Sequence, residues 1–427
     1  MTDEPPSGWP SRSLFELADY QNGQAFRPAD TRGSGLPIIK IAELNDGIGS
    51  STGRASCKID PRKVIRAGDL LFAWSGSVGV YKWDGPEAAL NQHIFRVTAR
   101  EGVDQTFLRY LLEGQLPTFQ RVVDDQATTM GHVKVADLKR LQVNLPPLTE
   151  QRAIAHVLGS LDERIELNRH MSQTLEEICR ALFKFWFVDF GPVRAKMEGR
   201  WKKGESLPGM PAELWDFWPT EFEESEIGEI PKGWEVKPVS SAVEVNPERE
   251  LTKGEVAPYV EMRHLPTTSA RVAGWVNRPF SSGSRFENGD VLVARITPCL
   301  ENGKTAYVDF LNGTEVGWGS TEFLVLSAKA PFPPQWIYCL ARTEDFRSYL
   351  IQNMTGTSGR QRAPAACLDS FAVAVPTDGI AEWFGQVVGP WFDKLKANDE
   401  ESSTLGAARD ALLPKLLSGE IRVKVDS

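Results

Sequence analysis

The sequence predicts an α+β fold in which two pseudo-repeated α/β domains are separated by two long antiparallel coiled-coil helices. Three observations carry this expectation. Between Leu145 and Phe190, Ile154, Leu158, Leu161, Ile165, Asn168, Ser172, Leu175, Cys179, Leu182 and Trp186 recur at alternating steps of four and three, the seam of a coiled coil. From Gly233 the pattern of the first half starts again. The repeat then ends in a second helix with the same seam, and two such seams are buried most economically against each other.

In chain order, residues 1–145 form the first domain. Leu36–Ile41, Asp69–Trp74 and Ile94–Thr98 are short apolar runs bounded by Gly, Asp and Ser, as strands are. Gln105–Gln120 carries a helical stripe of Phe107, Leu108, Leu111, Leu112 and Leu116, and Lys134–Leu141 is expected to form a short helix ahead of a last strand at Gln142–Leu145. The long helix occupies 146–190, with Thr149 expected to cap its start. At a rise of ~1.5 Å per residue it would span roughly 55 Å, too long for an ordinary core helix. Residues 191–230 are rich in Gly, Pro, Trp and carboxylates and form a linker packing through Trp201, Trp215, Phe217 and Trp218. Residues 231–375 form the second domain and 376–427 the second helix and tail.

The internal repeat is ordered throughout. Gly8-Trp9 recurs as Gly233-Trp234, Ala67–Trp74 as Asn288–Arg295, and Leu145-Pro146 as Val375-Pro376. The helix seam recurs at an offset of about 230 residues, with Ile154 on Phe384, Leu158 on Val388, Leu161 on Trp391 and Ile165 on Leu395. Asn168 falls on Asn398, so an antiparallel pair would bring the two amides together near a pseudo-two-fold axis and set the register of the helices. The alternative is that both are tolerated at wet seam positions.

Composition limits the function classes. At 427 residues, 41% hydrophobic and 25% charged, the chain is an ordinary globular protein of two or three domains. No apolar run approaches the ~18 residues of a membrane span, and no secretory h-region opens the sequence. Five scattered cysteines, never in CxxC spacing, argue for a reducing cytoplasm and against a structural metal or disulfide framework. A net charge of −9 requires any nucleic-acid function to use local basic patches.

Catalytic signatures fail on inspection. Gly303-Lys304-Thr305 ends like a P-loop, but Pro298 stands where its first glycine belongs. Asp216 with Glu235-Val236-Lys237 mimics a nuclease triplet of a kind common in acidic chains, and Pro146-Pro147 lacks the flanking residues of an amino-methyltransferase tetrad. His93, His132, His156, His170 and His264 have no metal or triad spacing. No catalytic residue and no metal ligand is expected.

What remains are polar and basic loops at equivalent places in the two halves. One pair is the stretch with Gln126, Thr128, Thr129, His132 and Lys134, and the stretch with Ser358, Arg360, Gln361 and Arg362. The other is the turn with Ser75 and Ser77, and the segment from Arg295 to Lys304. Arg suits guanine and Gln adenine at base edges, while Ser, Thr and Lys suit phosphates, so these residues are candidate DNA contacts. The alternative is ordinary solvated turns. Arg180–Phe190, a dense aromatic cluster ending the first helix, either packs against its own domain or docks a partner.

The segments LPPLTEQRAIAHVLGSLDERIELN, FVDFGPVRAKMEGR, GEIPKGWE, RITPCLENGKT with GSTEF, and LLPKLLSGEIRV resemble the specificity subunits of type I restriction–modification enzymes. The resemblance covers nearly the whole chain. It implies two target-recognition domains, each reading one part of a bipartite double-stranded DNA target. It implies two modification subunits bringing S-adenosylmethionine and adenine methylation, and restriction subunits bringing ATP, Mg and cleavage; the chain itself would need no cofactor, no membrane and no catalytic centre. On this likeness the helix becomes a ruler, whose ~55 Å corresponds to roughly 16 base pairs as an upper guide. The rivals are a non-catalytic scaffold or antirestriction-like mimic and, against the missing motifs, a stand-alone DNA-modifying enzyme. One departure is Pro376–Phe384, PTDGIAEWF, where the first repeat has PPLTEQRAI.

Overall fold

The structure is a computed structural model and describes residues 8–125, 131–357, 359–377 and 379–423. The chain divides into two compact units, Met1–Ile165 with Ser403–Ser427, and Glu166–Ser402. Each of the two long helices, a central one at Leu148–Phe187 and a C-terminal one at Ile380–Ser418, contributes residues to both.

In the first unit, Leu70–Ala73 is a run of four apolar residues with every side chain buried, as a strand covered on both faces should be. It lies inside a four-stranded antiparallel sheet in the order Ala18–Asn22, Ile94–Ala99, Leu70–Ala73, Gly79–Lys82. A three-stranded sheet has Ala88–Leu90 at its centre, parallel to Ile38–Ile39 and antiparallel to Val64–Ile65. Ser11–Ser13 pairs with Gln142–Asn144 and ties the two ends of the domain together.

The second unit repeats this plan. Val243–Val245, Phe323–Ala328, Val291–Ala294 and Thr305–Tyr307 form the antiparallel sheet in the matching order. Gly317–Gly319 is parallel to Val256–Val260 and antiparallel to Ser284–Phe286, and Glu235–Pro238 pairs with Ala372–Val375. Val276–Pro279 is added to this plan at an edge beside Val256–Val260. The internal repeat of the sequence is therefore a repeat of topology.

Four local expectations are corrected. The stripe at Gln105–Gln120 is two helices, Gln105–Gly114 and Leu116–Asp124, because Pro117 cannot donate to a continuous ladder and must sit in a first turn. Leu36–Ile41 is a strand only at Ile38–Ile39; a helix begins at Ile41. Thr149 lies inside the central helix rather than capping it, since Gln151 N already donates to the Pro147 carbonyl at 2.9 Å. The stretch 191–230 holds a helix at Gly191–Met197, a 3₁₀ turn at Ala212–Phe217 and a hairpin of Phe222–Ser225 with Gly228–Pro231. Its Trp201 and Trp218 are buried, whereas Phe217 is exposed.

The long helices run antiparallel and pack together. In the first unit Ile154 and Leu158 of the central helix share a core with Leu416 and Leu417 of the C-terminal helix, and each such side chain contributes roughly 1.5–3 kcal/mol on burial. In the second, Phe183, Trp186 and Phe187 all lie within 6 Å of Phe384 by ring centroids. Phe183 and Phe187 also meet Trp336 of the second domain, and Phe190 meets Trp234, so the aromatic cluster of Arg180–Phe190 is largely core of the second unit.

Asn168 and Asn398 are fully buried against one another. Each Nδ2 donates to the other's backbone carbonyl at 3.5 Å. Each also reaches a serine one turn beyond its partner, Asn398 to Ser172 at 3.1 Å and Asn168 to Ser402 at 3.4 Å, and Asn168 donates to Glu401 at 3.0 Å. In the first unit, Asp162 of the central helix accepts from Arg109, from Tyr110 Oη at 2.6 Å and from Arg409 Nη1 at 2.8 Å. Burial pushes its carboxyl up, but the hydrogen bonds from Arg409 and Tyr110, and then Arg109, outweigh that and hold it below the usual carboxylate range.

Replacing either asparagine alone by leucine strands the other amide in apolar surroundings, so Asn168→Leu or Asn398→Leu should lower the unfolding free energy by about 1–3 kcal/mol in denaturant melts. The double leucine variant should recover that loss while hydrogen exchange along the helices quickens as register loosens; single variants indistinguishable from wild type would contradict this. Asp162→Asn should cost roughly 2 kcal/mol at pH 7. A depressed carboxyl stabilises above the unfolded-state pKa of about 3.9 and loses that contribution as pH falls through its lower folded value. The gap between variant and wild type should therefore close in melts below about pH 4.

Candidate nucleic-acid interface

Within each unit the fold brings the two candidate loops of that half together. In the first, the chain leaving Leu70–Ala73 is held by three backbone hydrogen bonds: Trp74 N to His93 O at 3.2 Å, Val133 N to Trp74 O at 2.9 Å, and Gly76 N to Gly131 O at 3.4 Å. Ser75 and His132 are bridged antiparallel. In the second, the chain leaving Val291–Ala294 has the same three, Arg295 N to Glu322 O at 2.9 Å, Ala363 N to Arg295 O at 2.9 Å, and Thr297 N to Gln361 O at 3.1 Å. Ile296 and Arg362 are bridged antiparallel. One backbone frame is thus built twice, and three equivalent positions on it are Trp74, His93 and His132 in one copy, Arg295, Glu322 and Arg362 in the other.

The side chains on these frames differ completely. In the first copy the Trp74 ring lies 5.6 Å from His93 and from Phe95 and 5.4 Å from His132, centroid to centroid. Its Nε1 donates to Asn22 Oδ1 at 3.3 Å. Ser75 is buried at 4% exposure, so the strand bridge rather than a ligand occupies that position. Ser77 and Lys134 are exposed, and Lys134 opens the helix Val135–Arg140, its N–H held by Asp137 Oδ2 at 2.8 Å.

In the second copy Arg362 is forked onto Glu322, with Nε 2.8 Å from both carboxylate oxygens and Nη2 2.6 Å from Oε1. The hydrogen bonds and charge of Glu322 raise the Arg362 pKa, so the guanidinium stays charged. The loop itself is pinned by reciprocal backbone bonds between Thr355 and Arg362 at 3.0 and 2.9 Å. Gly356 and Gly359 have φ of +121° and +81°, which a side chain would strain. Arg360 is exposed at its tip. Lys304 donates to the Met262 carbonyl at 2.9 Å, and the buried Nε of Arg295 has no partner among the described residues.

Of the residues picked out in the sequence, Ser75 with His132, and Arg295 with Gln361 and Arg362, are therefore brought together. Ser77, Lys134, Lys304 and Arg360 stand beside these frames in their own halves of the chain. Gln126, Thr128, Thr129 and Ser358 lie outside the described residues. Sequence inspection missed His93 and Glu322, one set aside for lack of metal spacing and the other absorbed in GSTEF. Extending the repeat register through the strands Ile94–Ala99 and Phe323–Ala328 would have aligned them. No metal-ligating group and no helix long and apolar enough to cross a membrane occurs among the described residues.

Comparison with known proteins agrees with the resemblance read from the sequence. Residues 6–177 match the family model of the type I restriction modification DNA specificity domain. The specificity subunit of the MjaIX type I restriction enzyme of Methanocaldococcus jannaschii is 24% identical over 85% of this chain and 79% of its own length. The HindI specificity subunit of Haemophilus influenzae is 25% identical over 71% of this chain and 74% of its own. A second M. jannaschii specificity subunit, MjaVIII, is 24% identical over 98% of this chain and 94% of its own. In fold, the crystal structure of the type I restriction–modification S subunit from M. genitalium superposes with a TM-score of 0.54, at 18% identity and covering 96% of both chains.

Proposed function

We propose, from the family match at residues 6–177 as premise, that this chain is the DNA-reading subunit of a type I restriction–modification complex. Each α/β domain reads one part of a split double-stranded target. The observation that carries this reading is the doubled frame: one backbone arrangement holds two unrelated sets of side chains. A purely structural repeat has no reason to replace Trp74, His93 and His132 by Arg295, Glu322 and Arg362 while keeping every backbone bond of the frame. A protein that reads two different base sequences has that reason, because base edges are distinguished by side-chain donors, acceptors and apolar contacts, and phosphates are not.

The chemistry belongs to partners. Two modification subunits supply S-adenosylmethionine and transfer the methyl group to adenine, and restriction subunits supply ATP, Mg and cleavage. The chain chooses the sequence and performs no covalent step, and it does so in the cytoplasm of a bacterial or archaeal cell. Exposed Lys134 and Arg360 serve as phosphate contacts beside the two frames.

The test is a binding competition between random and selected DNA duplexes, using the chain assembled with its modification subunit across a range of salt. Selected sequences should be preferred by at least about 10³-fold over random DNA. Lys134→Ala and Arg360→Ala should weaken binding to all sequences alike, each reducing the slope of log affinity against log salt by about 0.9. Binding that shows no preference among sequences would reduce the chain to a scaffold.

A further inference from the structure

We infer that Arg362, braced by Glu322, is the guanine-reading residue of the second domain, and that the matching frame of the first domain reads its bases by a different chemistry. The inference rests on the proposed DNA-reading role and names the residue and base behind it.

A guanidinium has five N–H groups in one plane. Glu322 takes the Nε edge, with Nε 2.8 Å from both oxygens and Nη2 2.6 Å from Oε1. The end-on edge, made of one Nη1 hydrogen beside the second Nη2 hydrogen, is left open among the described residues, where Nη1 makes only a long 3.5 Å contact to the Arg360 carbonyl. Guanine presents O6 and N7 side by side in the major groove, and a planar pair of N–H donors is the group that matches them. The free edge of Arg362 is such a pair.

Bracing makes this a reading group rather than a floating charge. The Arg362 side chain is 44% exposed and Glu322 only 21%, so the outer edge faces outward while the inner edge is fixed. The backbone of Arg362 is held at both Thr355 and the Ile296 bridge, and Glu322 receives the Arg295 N–H on its own carbonyl. The side-chain carboxylate and the guanidinium are thus anchored from two separate backbone segments. Holding the fork in place before DNA arrives removes most of the rotamer entropy that a free arginine would lose. The pair is also close to neutral overall, so it adds little to non-specific attraction for phosphates and leaves discrimination as its main effect.

The matching frame of the first domain has no such fork among its described residues. At the positions of Glu322 and Arg362 it has His93 and His132, packed on the Trp74 ring at 5.6 and 5.4 Å. Two imidazoles and an indole offer single donors and apolar faces but no paired fork. The two parts of the target are therefore read by unlike groups, and the preference for a guanine carried by Arg362 belongs to the second part only.

The experiment uses the complex of this chain with its modification subunit and duplexes in which each guanine of the target is replaced in turn by 7-deazaguanine, which lacks the N7 acceptor. For the wild-type complex, one guanine read by the second domain should show a loss of affinity on the order of ten-fold or more. With Arg362→Ala, normal and 7-deaza duplexes should bind alike at that position while penalties elsewhere persist. Arg362→Lys should lose the same discrimination yet keep the wild-type salt dependence, and Glu322→Gln should reduce the penalty without removing it. Thermal melts of each variant complex separate these effects from loss of folding. If Arg362→Ala or the milder Arg362→Lys leaves every 7-deaza penalty unchanged, or lowers affinity equally for random DNA, the assignment is overturned. A wild-type complex that selects its target but shows no 7-deaza penalty overturns it too, and leaves the DNA-reading role standing.

Discussion

The mutual burial of Asn168 and Asn398 is the constraint on which the helix pair depends. A seam made only of Leu, Ile and aromatics can slide by a heptad at little cost, because one apolar contact resembles the next. Two amides cannot slide, since each would leave its donors in hydrocarbon. Here each Nδ2 meets the other's backbone carbonyl, and each finds a serine one turn along the opposite helix. Both Oδ1 atoms have no partner among the described residues, so the arrangement gives up stability for a unique register. The same reciprocity is what an approximate two-fold between the helices requires, which ties the amide pair to the duplication of the chain.

Around that register the two copies have diverged in how their domains are seated. In the first unit the seat is polar. Glu150 accepts from Trp9 Nε1 at 3.3 Å and from Arg422 Nη2 at 2.7 Å, and Asp162 gathers Arg109, Tyr110 and Arg409. In the second unit the place of Glu150 falls to Ile380, and Trp234, the repeat partner of Trp9, has a buried Nε1 with no partner among the described residues. The place of Asp162 falls to Phe392, which packs edge-on against Tyr307 and Tyr338. The altered PTDGIAEWF stretch thus accompanies apolar side chains at two positions that are acidic in the first unit, while the second domain keeps polar contacts to the helices elsewhere, Arg271 Nη1 to Asp399 at 2.6 Å and Tyr338 Oη to Glu176 at 2.6 Å.

Long-period features were legible in the sequence because they depend on many residues at once. The helix seams, the repeat and the juxtaposition of Asn168 with Asn398 all follow from spacing, and tertiary contacts reinforce rather than override them. Features that hinge on one residue were not. Pro117 splits a helix whose apolar stripe continues across the break, and the stretch 191–230 builds short elements around Trp201 and Trp218 without any sustained period. The candidate interface was half legible. Loop composition pointed to His132, Arg360 and Arg362, but nothing local tells that Glu322, forty residues away, will hold Arg362. That contact is a product of strand order, and the burial of Ser75 and the hydrogen bond of Lys304 to Met262 are likewise settled by the fold.

The backbone frame that recurs with unlike side chains makes one central claim, that this chain reads a split target whose two parts are chosen independently. Mapping methylated adenines across the DNA of cells expressing the chain with its modification subunit tests it most directly. The account predicts methylation confined to one sequence of two defined parts separated by unspecified bases, with changes at Arg362 altering the preference in one part and leaving the other intact. Methylation spread without sequence preference, or confined to a single uninterrupted sequence that responds as a whole to that change, would contradict it.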